Sequence, residues 1–335
     1  MTQRLLLSTC LFLTFFSCRD EFSLEGDFQD VPVAFAYLDA EDERHFVRVE
    51  KAFLEAGGNA ETNAGDPNNI YYAADEATVI LNNLTTNTSR ELERVDARDF
   101  GLNRTDGVFA TDPNVAYSFT DDDLEVRAGD EVELLIERPG ETTATASTTL
   151  LEPVEIVRPN DLVRIDNPNR PLIMSWTKGE AASIYDVRIF FNIRELFPAD
   201  ASMNRNVRLE WQLQTAYVPG EGDESGRTVR LAVDPTGFYR FLGENLEENG
   251  NIVRRFESFD VQVSAAGEEV LELRNLQNAN SGITSSGALP RYSNITGGFG
   301  IITSNTTTLK EGIGFDGGSV DSLRDGRFTR DLNFN

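Results

Sequence analysis

The residues that could do chemistry are few. The chain has one histidine, His45, and two cysteines, Cys10 and Cys18, in 335 residues. A zinc site needs three or four Cys, His or carboxylate ligands, and a serine or cysteine nucleophile needs a histidine beside it. His45 lies in the acidic run EDERHF with no second histidine to share a metal. It reads as a solvated side chain at the start of a strand. Neither a G-x-S-x-G elbow nor a phosphate-binding P-loop occurs. Ser281–Gly287 (SGITSSG) reads as a loop, not a nucleophile turn. Asp121, Asp122 and Asp123 offer clustered oxygens, but EF-hand spacing is missing and a solvated turn is the default. Trp176 and Trp211 could stack on sugar rings, yet both stand inside alternating apolar runs and read as core. A glycosidase pair among the acids is set by geometry, which spacing does not reveal. The expectation is a non-enzymatic chain with no catalytic residue, no metal and no cofactor; an exported hydrolase is the remote alternative.

Charge narrows the partners. Acids number 56 and Lys plus Arg 30, a net of −26. A surface that negative repels phosphate backbones, so nucleic acid is not expected. Hydrophobic residues at 40% are enough for a packed core.

The start of the chain reads as an address. Arg4 is the only charge before Cys18, and Leu5–Phe16 (LLLSTCLFLTFF) is nearly all apolar. That run is a secretory h-region, too short to span a bilayer, which takes ~20 apolar residues. Ser17 followed by Cys18 resembles a bacterial lipobox, with Phe15 where Leu is usual. The expectation is a signal peptide over 1–17 and lipid on Cys18. Residues 18–30 form an acidic tether, led by Asp20 and Glu21. Such a cluster resembles the export signal that places Bacteroidota lipoproteins at the cell surface. Without a second cysteine after Cys18, no intramolecular disulfide can form.

The elements that must position everything else are β-strands. Strands are predicted at Val31–Leu38, His45–Phe53, Ala77–Asn82, Val108–Thr111, Ala116–Thr120, Glu131–Glu137 and Thr142–Leu150. Alternation is clean at Ala77, Val79, Leu81 and at Val132, Leu134, Ile136. Ala56–Asn69 has no apolar period and reads as a loop. Many short strands at this spacing predict an antiparallel sandwich over 31–155. The run L-x-V-x-x-G-D-x-V from Leu124 resembles immunoglobulin- or transthyretin-like domains. Pro153, Pro159, Pro168 and Pro171 mark extended, ladder-poor chain and the domain boundary.

Residues 156–304 predict a second sandwich. Its strands are Pro171–Thr177, Ile184–Glu195, Val207–Val218 and Arg254–Ser264. Trp176 with Tyr185, Val187 and Ile189 resembles paired strands of a fibronectin type III-like fold. Asp234-Pro235 is an N-cap with proline at N1; Phe238, Phe241, Leu242 and Leu246 form one helical stripe. Glu268–Gln277 reads as a second short helix. Arg291–Ser304 closes that domain, and Gly297, Gly298 and Gly300 mark a tight turn or bulge. Residues 305–335 are polar and Gly-rich and read as a loose tail.

Taken together, the lipobox, the sandwich, the helix opening D-P-x-G-F-Y, the R-R-F-x-x-F-D strand at Arg254 and Y-S-N-I-x-G-G-F-G-I resemble one family. It is the Bacteroidota lipoproteins grouped as domain-of-unknown-function family 4249. Its most specific segment here holds Tyr292, Asn294, Ile295, Gly298 and Gly300. The resemblance implies a lipid-anchored outer-membrane protein beside a TonB-dependent receptor. The alternative is an adhesin that binds a glycan or a protein.

Overall fold

The computed structural model describes residues 30–52, 64–220, 226–279 and 292–335. The leader, Cys18, most of the tether and the Ser281–Gly287 loop lie outside the described residues. The chain is mainly β with a few short helices.

The first half gives β1 (Val31–Leu38), β2 (Arg44–Ala52), helix α1 (Pro67–Ile70), β3 (Thr78–Asn83), β4 (Thr88–Glu91), β5 (Glu93–Asp96), β6 (Val115–Thr120), β7 (Glu131–Glu137) and β8 (Ala144–Thr149). Strand alternation sorts side chains by face. Ala34, Ala36 and Leu38 point inward from β1, with Val47 and Val49 from β2. They pack on Val79 and Leu81 of β3 and on Val132, Leu134 and Ile136 of β7. Sheet β4-β3-β7-β8 thus faces sheet β1-β2-β6-β5 as a sandwich.

The second half gives β9 (Ile156–Arg158), β10 (Leu162–Val163), β11 (Leu172–Thr177), β12 (Ile184–Leu196), β13 (Arg205–Tyr217), β14 (Thr228–Val233), α2 (Pro235–Asn245), β15 (Val253–Ala266), α3 (Glu268–Ala279), β16 (Phe299–Phe315) and α4 (Gly317–Asp325). Sheet β14-β11-β9 packs on β13-β12-β15, with Trp176, Phe191 and Phe259 fully buried between them. Helix α2 begins as predicted: the Asp234 carboxylate accepts from the Thr236 N–H at 2.9 Å, and Phe238 and Leu242 are buried. Trp211 lies ring to ring with Phe241 at 5.3 Å, and Trp176 leans on Tyr185 at 5.5 Å. Both tryptophans therefore serve packing.

One strand joins the two sandwiches. β16 has 17 residues, a reach of roughly 56 Å at ~3.3 Å per residue. Its first part pairs in parallel with β1, from Val33↔Phe299 to Leu38↔Ser304. Its second part pairs antiparallel with β15, from Ala266↔Asn305 to Phe259↔Ile313. The result is a continuous sheet of order β13-β12-β15-β16-β1-β2-β6-β5, with β10 also on β16.

This topology corrects several expectations. Residues 305–335 are no loose tail. Thr-rich β16 alternates well enough to sit in a ladder, and Leu323, Leu332 and Phe334 beyond it are buried in the second core. Arg254 holds that end: its guanidinium donates to the Leu332 carbonyl at 2.9 Å, and its own N–H and C=O pair with Asn333 and Asn335 at 2.9 Å. Residues 299–304 belong to the first sandwich, so the second one does not close there. The proline-rich stretch is not ladder-poor: it contributes β9 and β10, and Val154, Ile156, Val163 and Ile165 bury in the second core. Val108–Thr111 forms no strand, whereas the unpredicted β4 and β5 do. The end of the Ala56–Asn69 loop turns into α1, capped by Asp66 and pinned by buried Ile70.

Candidate functional site

His45 is not solvated. Strand β2 turns it inward, where it is 3% exposed and stacks on Phe119 with ring centroids 4.5 Å apart. Its Nε2 lies 3.4 Å from an Asp121 carboxylate oxygen. Asp123 instead accepts from the Thr120 N–H and hydroxyl at 3.2 and 2.9 Å and pairs with Arg90 at 2.8 Å. The Thr120 bonds hold the Asp123 carboxyl below its ordinary range. Asp121 and Asp123 are thus spent on strand and turn contacts, and Asp122 is exposed. Among the described residues no three His, Cys, Asp or Glu side chains converge as metal ligands would.

The family-like segment has a structural task in the first sandwich. Asn294 spans the backbone of Ile302: its carboxamide donates to the Ile302 carbonyl at 2.7 Å and accepts from the Ile302 N–H at 3.0 Å. Ile295 enters the first core. Thr296 bridges to Thr145 of β8, so this segment closes the sandwich edge. A Cβ on Gly298 would stand 2.8 Å from the Pro32 carbonyl oxygen, and one on Gly300 1.8 Å from that of Ala34. Tyr292 is half-buried; burial first, then Glu269, Glu272 and Glu268, raises its phenol above the ordinary range. Glu269 on α3 also accepts from the Thr303 and Thr148 hydroxyls at 2.9 and 3.2 Å.

What remains as a candidate site is the outward side of β16, β1 and β2. Alternation that sends Ala34 and Ala36 inward sends Phe35 and Tyr37 outward, 41% and 53% exposed. Phe299, 45% exposed, pairs beside Val33. Arg48 faces Phe35 across the strand pair, and Glu50 faces Val33. The connection from β5 to β6 adds Phe100 and Phe109, both exposed. Phe100 meets Phe46 edge-on at 5.5 Å and lies under the Arg44 guanidinium at 4.7 Å. Arg104 covers the Phe109 ring at 4.5 Å and bonds the buried Glu50 carboxylate at 2.8 Å. Asp96 fixes the turn that presents Phe100: its carboxylate accepts from the Arg98 N–H at 3.1 Å and from the Arg98 guanidinium. That guanidinium is the main reason the Asp96 carboxyl is pulled down to about 2.

Exposed aromatic rings interleaved with arginine are the composition that enriches protein interfaces, where Lys, Asp and Glu are depleted. Here Arg48 and Arg104 both pair with the buried Glu50 while Arg44 covers Phe100, in a chain of net charge −26. None of the sequence patterns marked this face, although the i, i+2 pair Phe35 and Tyr37 on a strand whose other side is Ala, Ala and Leu was the available clue. Among the described residues no helix is long and apolar enough to cross a membrane. No protein-family model matches the sequence, and no curated protein matches it.

Proposed function

We propose that this chain is a non-enzymatic lipoprotein, anchored through Cys18 at the outer membrane and facing the cell surface, where it acts as accessory or interaction partner of a TonB-dependent receptor. The observation that carries the reading is the aromatic and arginine face of Phe35, Tyr37, Phe299, Phe100 and Phe109. Monomeric surfaces rarely expose rings in one continuous patch without using them. The strand that joins both sandwiches gives this face a rigid support, and its Tyr37 end runs up to the junction. The lipid anchor supports the reading further, because confinement to one membrane raises effective concentration toward a membrane partner.

The test is a mild-detergent pull-down from native membranes through a C-terminal tag. A β-barrel receptor should be recovered at near-stoichiometric yield and lost with the triple variant Phe35→Ala, Tyr37→Ala, Phe299→Ala. Mass spectrometry should find acyl chains on Cys18, and Cys18→Ala should release the protein from the membrane fraction. A glycan is the second reading, favoured by the same rings, which could stack on sugar faces. Binding to a glycan array that the triple variant loses, with no barrel recovered at low salt, would replace the first reading by the second.

A further inference from the structure

The proline-rich edge of the second sandwich carries a feature that the aromatic face does not use. Residues 158–173 fold into an open groove of about 240 Å³, lined by Arg158, Asn160, Leu162, Arg164, Arg170 and Ile173 among others. Three arginines in thirteen residues (RPNDLVRIDNPNR) stand out in a chain with nearly twice as many acids as bases. Their pairing is unequal. Arg164 is taken up by Asp166, at 2.9, 3.0 and 2.8 Å, with Asp316 a further 3.8 Å contact. Asp161 is balanced by Lys310 at 3.4 Å. Both acids of the segment therefore have a cation of their own. Neither Arg158 nor Arg170 has a carboxylate within salt-bridge distance among the described residues, and Arg170 acts on Asp166 only through longer-range attraction.

We propose that Arg158 and Arg170, with the Asn160 carboxamide, bind a phosphate group in this groove. The Arg164–Asp166 pair shows the capacity of one guanidinium: it fills both oxygens of a carboxylate. Two further arginines and an amide donor call for an anion with more acceptors, and phosphate supplies them. Each of the two arginines precedes a proline, Pro159 and Pro171, whose ring restricts the backbone before it. The forks are thus presented from stiff chain. Leu162, 63% exposed, gives an apolar flank for whatever the phosphate is attached to. A free phosphate compound and a lipid headgroup share this chemistry.

The test uses the full chain in detergent, titrated with inorganic phosphate against sodium chloride of equal ionic strength, by calorimetry and thermal melting. Binding should saturate and raise the melting midpoint. Arg158→Gln with Arg170→Gln should weaken it at least tenfold, while Arg194→Gln on the exposed side of β12 leaves it unchanged. If the double variant does not fold, the two single variants take its place, each with a smaller loss in affinity. Flotation with phosphatidylglycerol vesicles separates the sources. Arginine-dependent flotation that phosphate competes away identifies a headgroup, and phosphate binding without flotation identifies a soluble ligand. No saturable response to either probe, or equal responses in parent and double variant, overturns the proposal.

Discussion

The Ser304 hydroxyl donates to the Leu38 carbonyl at 2.7 Å, at the point where β16 leaves β1 for β15. The same oxygen accepts from the Leu151 N–H at 2.9 Å, where the first sandwich hands over to the second. Ser304 is fully buried, so nothing else can serve these two backbone groups. Ser304→Ala should cost about 1–3 kcal/mol, the range for buried polar groups left unpaired. Urea unfolding would show a lower midpoint. A variant as stable as the parent would remove the junction role assigned to this hydroxyl.

Arg254 makes the second prediction. Its side chain is 2% exposed and bonds Glu195, also 2% exposed, at 2.8–2.9 Å. It also reaches the carbonyls of Leu332 and Glu247 at 2.9 and 3.0 Å, which ties the chain terminus to the end of α2. Arg254→Met should destabilise by roughly 3–5 kcal/mol, because it leaves the buried Glu195 carboxylate with the exposed Arg205 alone and two carbonyls without their donor. It should also expose the segment after Gly317 to protease before the rest unfolds. Adding Glu195→Met should return part of the loss, since the remaining partner Arg205 is exposed and can be solvated. A double variant weaker than Arg254→Met by the full cost of a second core lesion would contradict the pairing.

His45→Ala is expected to destabilise by roughly 2–3 kcal/mol, for the lost ring packing on Phe119 and the cavity left behind. His45→Phe should recover the packing share but not the contact to Asp121. Thermal melts of both variants check this. An alanine variant that melts with the parent would return His45 to the surface role that its acidic neighbours suggest.

Strands with one apolar face, such as β1, β3 and β7, were legible because period two shows in their residue types. Helix α2 was legible from its cap, its proline and its stripe. Strands β4 and β5 were not, since their side chains are mostly exposed and polar, which leaves no period to read. The second part of β16 failed for a related reason: Thr306, fully buried, and exposed Thr307 alternate in environment but not in residue type. His45 is buried despite its acidic surroundings, because charge in the neighbours Glu43 and Arg44 says nothing of which face a strand residue takes. The aromatic face has no signature in the sequence, because Phe35 and Phe299 meet only through the pairing of β1 with β16, and Phe100 joins through its contact with Phe46.

Gly300 makes the last prediction, and Gly312 is its control. Both have positive φ, +118° and +75°. A Cβ at Gly312 would meet no atom within 4 Å, so Gly312→Ala should cost only the left-handed backbone penalty of roughly 1–2 kcal/mol. A Cβ at Gly300 would fall 1.8 Å from the Ala34 carbonyl oxygen and 2.8 Å from its carbonyl carbon, both on backbone. Backbone cannot swing aside as a side chain can, so β1 and β16 would have to part there. Parting them breaks the ladder that carries Phe35, Tyr37 and Phe299 on one face. Gly300→Ala should therefore lose the folded first sandwich, seen as lost hydrogen-exchange protection in β1 and β2. Protection in β12 and β15, which lie in the other core, should persist. Equal, mild effects from the two substitutions would mean that β16 does not approach β1 this closely.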